Sequence, residues 1–201
     1  MIVTNYTPED LKKLPLRAIV ALAARCARRV EHLVCLPDDH LVSERCRVAT
    51  ANAIRLAEDF ANGSPGSPAE NVVREIEECR AISNCDFAGD SALATVVMAA
   101  RAAANALHAR ELCGESAQSR SVGSHKPDPI GHLADVTADL AARAAFTAAF
   151  EAVAAIGHSD SFITAAIDDY EALLRLELGK FPEAGEPVDP SSKGPLGSLA
   201  L

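Results

Sequence analysis

The chain has no tryptophan, and aromatic residues make up only 4% of its 201 residues. Sheets draw on aromatic and β-branched side chains, so this scarcity argues against a β-rich core. There is no CxxC pair among the six cysteines, Cys26, Cys35, Cys46, Cys79, Cys85 and Cys113. A disulfide framework would need an oxidising compartment, which nothing in the sequence indicates. GxSxG, GxGxxG, the P-loop and HExxH are missing as well, and with them the sequence signatures of the commonest nucleophile, nucleotide and zinc sites. Basic residues are in deficit, 19 Lys and Arg against 28 Asp and Glu, for a net charge of −9. Nucleic acid is therefore not expected as a partner, because the phosphate backbone needs a cationic surface. Long apolar runs are scarce too. The stretch Ala18 to Ala24 is bracketed by Arg17 and Arg25, short of the ~20 residues that a membrane span needs. The opening MIVTNYTPEDLKKLP mixes acids with bases and lacks the apolar centre of a signal peptide. These absences lead to the expectation of a cytoplasmic chain with no membrane partner.

What the chain does have is alanine. Apolar residues reach 49%, and alanine supplies much of that share. It is the best helix former, because it loses no side-chain entropy in a helix, and it lets helices approach closely. The fold class expected is all-α: an antiparallel helical bundle of about six to seven helices with a Pro/Gly-rich C-terminal tail. Residues 1–178 should form one helical domain, with a possible subdivision at a polar loop over 114–129. Residues 179–201, which hold four Gly and four Pro, should be an irregular tail that either wraps the surface or is disordered.

Local signals place the helices. Thr7-Pro8-Glu9-Asp10 opens a short one ending at Leu14-Pro15, with a cap, a first-turn proline and acids at the positive end. From about Pro15 to Cys35, Leu16, Ile19, Val20, Ala23, Cys26, Ala27, Val30, Leu33 and Val34 repeat at helical spacing. Arg17, Arg25, Arg28 and Arg29 fall mainly off that stripe, and Pro37-Asp38-Asp39 turns the chain. A third helix spans about His40 to Ala61 and stops at Asn62-Gly63. A fourth starts from the capping box Ser67-Pro68-Ala69-Glu70 and ends near Ser83-Asn84. A fifth covers about Ser91 to Leu112. A sixth spans about Ile130 to Ile156, with Leu133, Val136, Leu140, Ala144, Thr147, Phe150 and Val153 facing inward. A seventh follows Ser159 or Asp160 to Leu178. Cys26, Cys46 and Cys79 lie on apolar stripes, where cysteine acts as a small hydrophobe.

Two sets of polar residues carry candidate chemistry. His125, Asp128, His132 and Asp135, with Asp139 beyond them, are the metal candidates. His132, Asp135 and Asp139 share one helical face, and both residue types ligate metals. The plainer reading is a solvated helix start, where acids favour the positive helix end. Glu75, Glu77, Glu78, Asp168 and Asp169 are the partner-binding candidates, an acidic surface for a basic protein; a charge run on a helix is otherwise just its solvated face. His32 and His40 flank the turn, and His108 and His158 sit at helix ends. No cofactor is implied.

One segment resembles a known family. LRAIVALAARCARRVEHLVCLPDDHLVSERCRVATANAIRLAEDFANG, Leu16 to Gly63, resembles the opening of the fifth numbered family of immunity proteins of bacterial polymorphic toxin systems. Leu22, Ala23, Cys26, Ala27, Val30, Pro37 and Asp38 carry the likeness, which covers about a quarter of the chain. It implies an Ala-rich helical fold and a non-catalytic protein that neutralises a cognate toxin; it assigns no functional residue. Three functions are thus expected in order: a protein-binding module, possibly of immunity type and with a basic partner; a scaffold that forms homo-oligomers through its Ala-rich helices; and a metal-dependent helical enzyme.

Overall fold

A computed structural model describes residues 6–34, 36–37, 39–64, 68–83, 85–120 and 129–199. Among these residues there are seven α-helices and no strand: α1 (Pro8–Leu11), α2 (Leu16–Val30), α3 (His40–Ala61), α4 (Ala69–Ile82), α5 (Phe87–Arg120), α6 (Pro129–Ala155) and α7 (Asp160–Arg175). The all-α bundle expected from composition is the fold.

Helices α5 and α6 form the longest contact in the molecule, and α2 packs on both, with α3 and α4 on one side and α1 and α7 on the other. Alanine makes this arrangement possible. In α5 the buried face carries Ala92, Ala99, Ala102, Ala103, Ala106 and Ala109, and in α6 it carries Ala138, Ala141, Ala145, Ala148, Ala149 and Ala152. A methyl at each position lets the two axes come close, toward the low end of the ~8–10 Å seen between packed helices. Larger side chains fill the wider spaces around α2, where Leu16, Ile19, Leu22 and Val30 are buried among Leu11, Leu14, Ile54, Leu56 and Phe60.

Helix ends follow the local chemistry. Thr7 and Asp10 form a reciprocal capping box, Thr7 N donating to Asp10 Oδ2 at 2.9 Å and Asp10 N to Thr7 Oγ1 at 3.2 Å. Asp39 Oδ1 accepts from the amides of Leu41 and Val42 at 3.0 Å. Gly63 stops α3 with φ of +75°, as Asn62-Gly63 predicts. Several boundaries differ from the sequence reading, among them the end of α7 at Arg175 instead of Leu178. Helix α2 ends at Val30 and continues as a single 3-10 turn, Glu31–Leu33. Pro68 is the N-cap of α4 with no side-chain cap bond, and Ser67 lies outside the described residues, as do Cys35, Asp38 and Asn84. Helix α5 starts at Phe87 and runs on to Arg120, through the Gly114-Glu115-Ser116 expected to open a loop. A helical glycine costs only ~1 kcal/mol against alanine, which the neighbouring Glu115, Ala117 and Gln118 can offset. Residues 121–128 of that loop are outside the description.

Hydropathy over α5 also corrects the estimate of apolar length. Phe87–Ser116 is long and apolar enough to cross a membrane by length and composition, and 67% of its most apolar window is buried inside the protein. That burial is the pattern of a core helix of a bundle.

After α7 the chain returns across α2. Leu16 N donates to Glu183 O and Arg17 N to Ala184 O, both at 2.9 Å, and Arg17 Nη1 donates to Gly185 O at 2.6 Å. The first amides of a helix have no intrahelical acceptor; here residues 183–184 supply two. Pro15, the N-cap, offers no side-chain acceptor of its own. Further on, Val188 N donates to Ala61 O at 2.8 Å, and Val188 is buried.

Candidate functional site

The buried charges come first, because they remove residues from the surface. Arg25 and Arg29 on α2 were expected off the apolar stripe, yet both are buried. Asp169 on α7, expected as part of an acidic surface, is buried with them. Its Oδ2 accepts from Arg25 Nε at 2.8 Å and from Arg29 Nη1 at 2.6 Å. The rest of the Arg25 fork is met by backbone carbonyls: Nη1 reaches Pro190 O at 3.1 Å and Gly197 O at 3.2 Å, and Nη2 reaches Ser198 O at 2.8 Å. The Arg29 guanidinium also lies over the Phe162 ring, 6.0 Å from its centre. This cluster joins α2, α7 and residues 190–198, and it is structural. Asp169 is thus an interior ion-pair partner of α2 and not a surface carboxylate.

Two of the other four acidic candidates are also engaged. Glu77 pairs with Arg101 at 2.7 Å. Glu78 pairs with Arg45 and sits 4.0 Å from Arg74. Glu75 is half-buried, and Asp168 is exposed. Between α4 and the middle of α5 lies a pocket of about 710 Å³, lined by Glu70, Asn71, Leu107, His108, Arg110 and Glu111 among others. Its charges are mixed in sign, and His108 Nδ1 lies 4.0 Å from Glu111 Oε2.

The metal candidates that lie on α6 are exposed or paired with cations. His132 and Asp135 are exposed on α6. Asp139 is held by Arg143, whose Nε donates to it at 2.6 Å, and by Lys12; these two partners keep its carboxyl below the usual range. His125 and Asp128 lie outside the described residues. Among the described residues no three of His, Cys, Asp and Glu come together as a metal-holding group.

What stands out is the other face of α6. The sequence reading turned Leu133, Val136, Leu140 and Phe150 inward, and the structure turns them out: 48%, 43%, 48% and 43% of their surfaces are exposed. The helix has two apolar stripes, one of alanine and one of large side chains. Close packing against α5 accepts the alanines, so the large residues are left on the solvent side. Ala144 and Val153 are buried as expected, and Thr147 is half-buried. Exposed apolar residues scattered singly are ordinary on a protein surface. These four are aligned, at spacings of three, four and ten, along ~26 Å of one helix at 1.5 Å per residue. On α3, by contrast, the exposed Leu41 and Val48 are separated by the Glu44–Arg47 pair and by Arg45. The signal in the sequence was the seven-residue recurrence 133, 140, 147 with 136, 143, 150, which is narrower than a core stripe and matches a helix–helix seam.

The class this architecture defines is an alanine-cored all-α bundle with one aligned apolar face. Compared with known proteins, the chain matches no family model, no curated protein and no solved structure.

Proposed function

We propose that the chain is a non-catalytic protein-binding module that engages its partner through the outer face of α6. The observation that carries this reading is the row Leu133, Val136, Leu140 and Phe150, close to half exposed on one helix. Fully burying one such side chain is worth ~1.5–3 kcal/mol, so covering the row is a substantial driving force for association. The reading puts the protein in the cytoplasm, in keeping with the free thiols of Cys26, Cys46 and Cys79. A photo-cross-linking amino acid in place of Val136 tests it in cells. Adducts to protein are expected there and not from the same group in place of Arg110. Equal yields from the two positions would overturn the reading.

A second contact, at the acidic surface and not at the α6 face, would serve immunity to a toxin. The likeness over Leu16–Gly63 and the net charge of −9 support a basic toxin as the bound protein. Co-expression with the product of an adjacent toxin gene should then restore growth and give a co-eluting complex. Growth arrest with no complex would remove the toxin and leave the broader reading standing.

A further inference from the structure

We infer that the occupant of the α6 outer face is a second copy of this chain, paired antiparallel about a two-fold axis that passes between Ala141 and Ala142. The inference rests on reading this face as the binding surface. Leu133, Val136, Leu140, Arg143, Thr147 and Phe150 are placed symmetrically about that axis. An antiparallel pairing there sets Leu133 of one copy level with Phe150 of the other, Val136 with Thr147, and Leu140 with Arg143. An isologous contact must be complementary to itself, and this face meets that condition along its whole apolar length. Every large apolar residue finds a large or half-apolar partner, with no residue left over at either end.

The charge at the centre decides the direction. Arg143 is the one cation within the row, and its Nε is bonded to Asp139 of its own helix at 2.6 Å. A parallel pairing would set Arg143 against Arg143 and Phe150 against Phe150. The antiparallel pairing sets Arg143 beside the partner copy's Leu140, along which the stem of an arginine packs well. It also brings two ion-paired chains together near the axis, each of Glu9, Lys12, Asp139 and Arg143, whose two carboxylates and two cations balance. Antiparallel helices also place opposite dipole ends side by side. The alanine faces expected to drive self-association are not used, because they are buried inside each copy.

The interface differs from an aggregation-prone patch in being bounded. Asp135 and His132 are exposed at one end, and Glu151, half-buried, flanks the other. Such a border favours closure as a dimer over open stacking.

The test uses the purified full chain. Sedimentation should give a dimer, and Leu140→Asp should give a monomer whose helical circular dichroism and thermal melt match those of the parent. For the register, Cys35, Cys85 and Cys113 are first replaced by serine. Leu133→Cys combined with Phe150→Cys should then form intermolecular disulfides under mild oxidant. Leu133→Cys alone should not, because its two copies lie ~25 Å apart at 1.5 Å per residue. Cross-linking by Leu133→Cys alone would overturn the antiparallel pairing. A chain that is monomeric at all concentrations would overturn the second copy as occupant. If that monomer still gives Val136-specific adducts to another protein, the binding face stands with a different partner; if it gives none, both readings fall.

Discussion

Arg25 and Asp169 lie 144 residues apart in sequence, and the guanidinium Nε donates to the carboxylate at 2.8 Å with both groups buried. Asp169 serves two arginines, so removing it strands two buried cations. We expect Asp169→Ala to destabilise the fold by about 3–5 kcal/mol, the usual cost of leaving a buried ion without its partner. For a chain of this length each kcal/mol lowers Tm by about 2–4 °C. Thermal unfolding measures it; a change under ~1 kcal/mol would show that water or backbone groups replace the carboxylate.

Two glycines should respond to alanine in opposite directions. Gly185 has φ of +77°, and a Cβ there would meet Pro15 at 2.5 Å. Gly185→Ala should cost ~1–3 kcal/mol through backbone strain and should raise protease cleavage after residue 178. Gly114 lies inside α5 with no atom within 4 Å of an added Cβ. Gly114→Ala should stabilise by ~0.5–1 kcal/mol. Urea titration of the two variants side by side checks both signs.

Acid should weaken the protein through three aspartates. Hydrogen bonds from Lys13 and Thr7 lower Asp10 to about 2. The Arg80 guanidinium lowers Asp90, and Arg143 with Lys12 lowers Asp139. Each folded-state pKa is below the unfolded value near 3.9. Their stabilisation is therefore complete above the unfolded pKa and is lost as pH falls through the folded ones. Urea midpoints measured from pH 6 down to pH 2, roughly spanning that window, should fall. The slope should be smaller in Asp139→Asn, because one of the three shifted groups is gone.

Thiol reactivity should divide by burial. Burial pushes Cys26 up to about 12, and burial with the Cys46 hydrogen bond pushes Cys79 up to about 12. The thiolate is the reactive form, so neither should react with a disulfide reagent in the native state. Exposed Cys113 should be modified first, and Cys26 and Cys79 only after denaturant is added.

Much of the fold was legible because its signals are local. The Thr7–Asp10 box, the Asp39 cap and Gly63 set ends where the sequence placed them, and helical spacing drew the buried face of α2 correctly at Leu16, Ile19 and Val30. The misreadings share a cause, which is dependence on distant residues. Arg25 belongs inside only because Asp169 and the carbonyls of residues 190–198 come to meet it. On α6, periodicity marks the stripe Leu133, Val136, Leu140 and Phe150 as apolar, but says nothing of which apolar stripe faces home. The alanine face of α5 makes that choice, since it admits methyl groups and excludes leucines. The pairing of Glu77 and Glu78 with Arg101 and Arg45 from other helices is likewise invisible in the local sequence.

The return of residues 183–198 over α2 has a consequence for biosynthesis. Leu16 and Arg17 leave the ribosome well before Glu183 and Ala184, whose carbonyls accept their amides. Until then the opening turn of α2 and the Arg25 fork have to be served by water. A nascent chain or a premature-stop product thus exposes what the finished chain conceals, a difference that cellular proteases can read. In this molecule a later stretch of the chain acts as a seal on an earlier one.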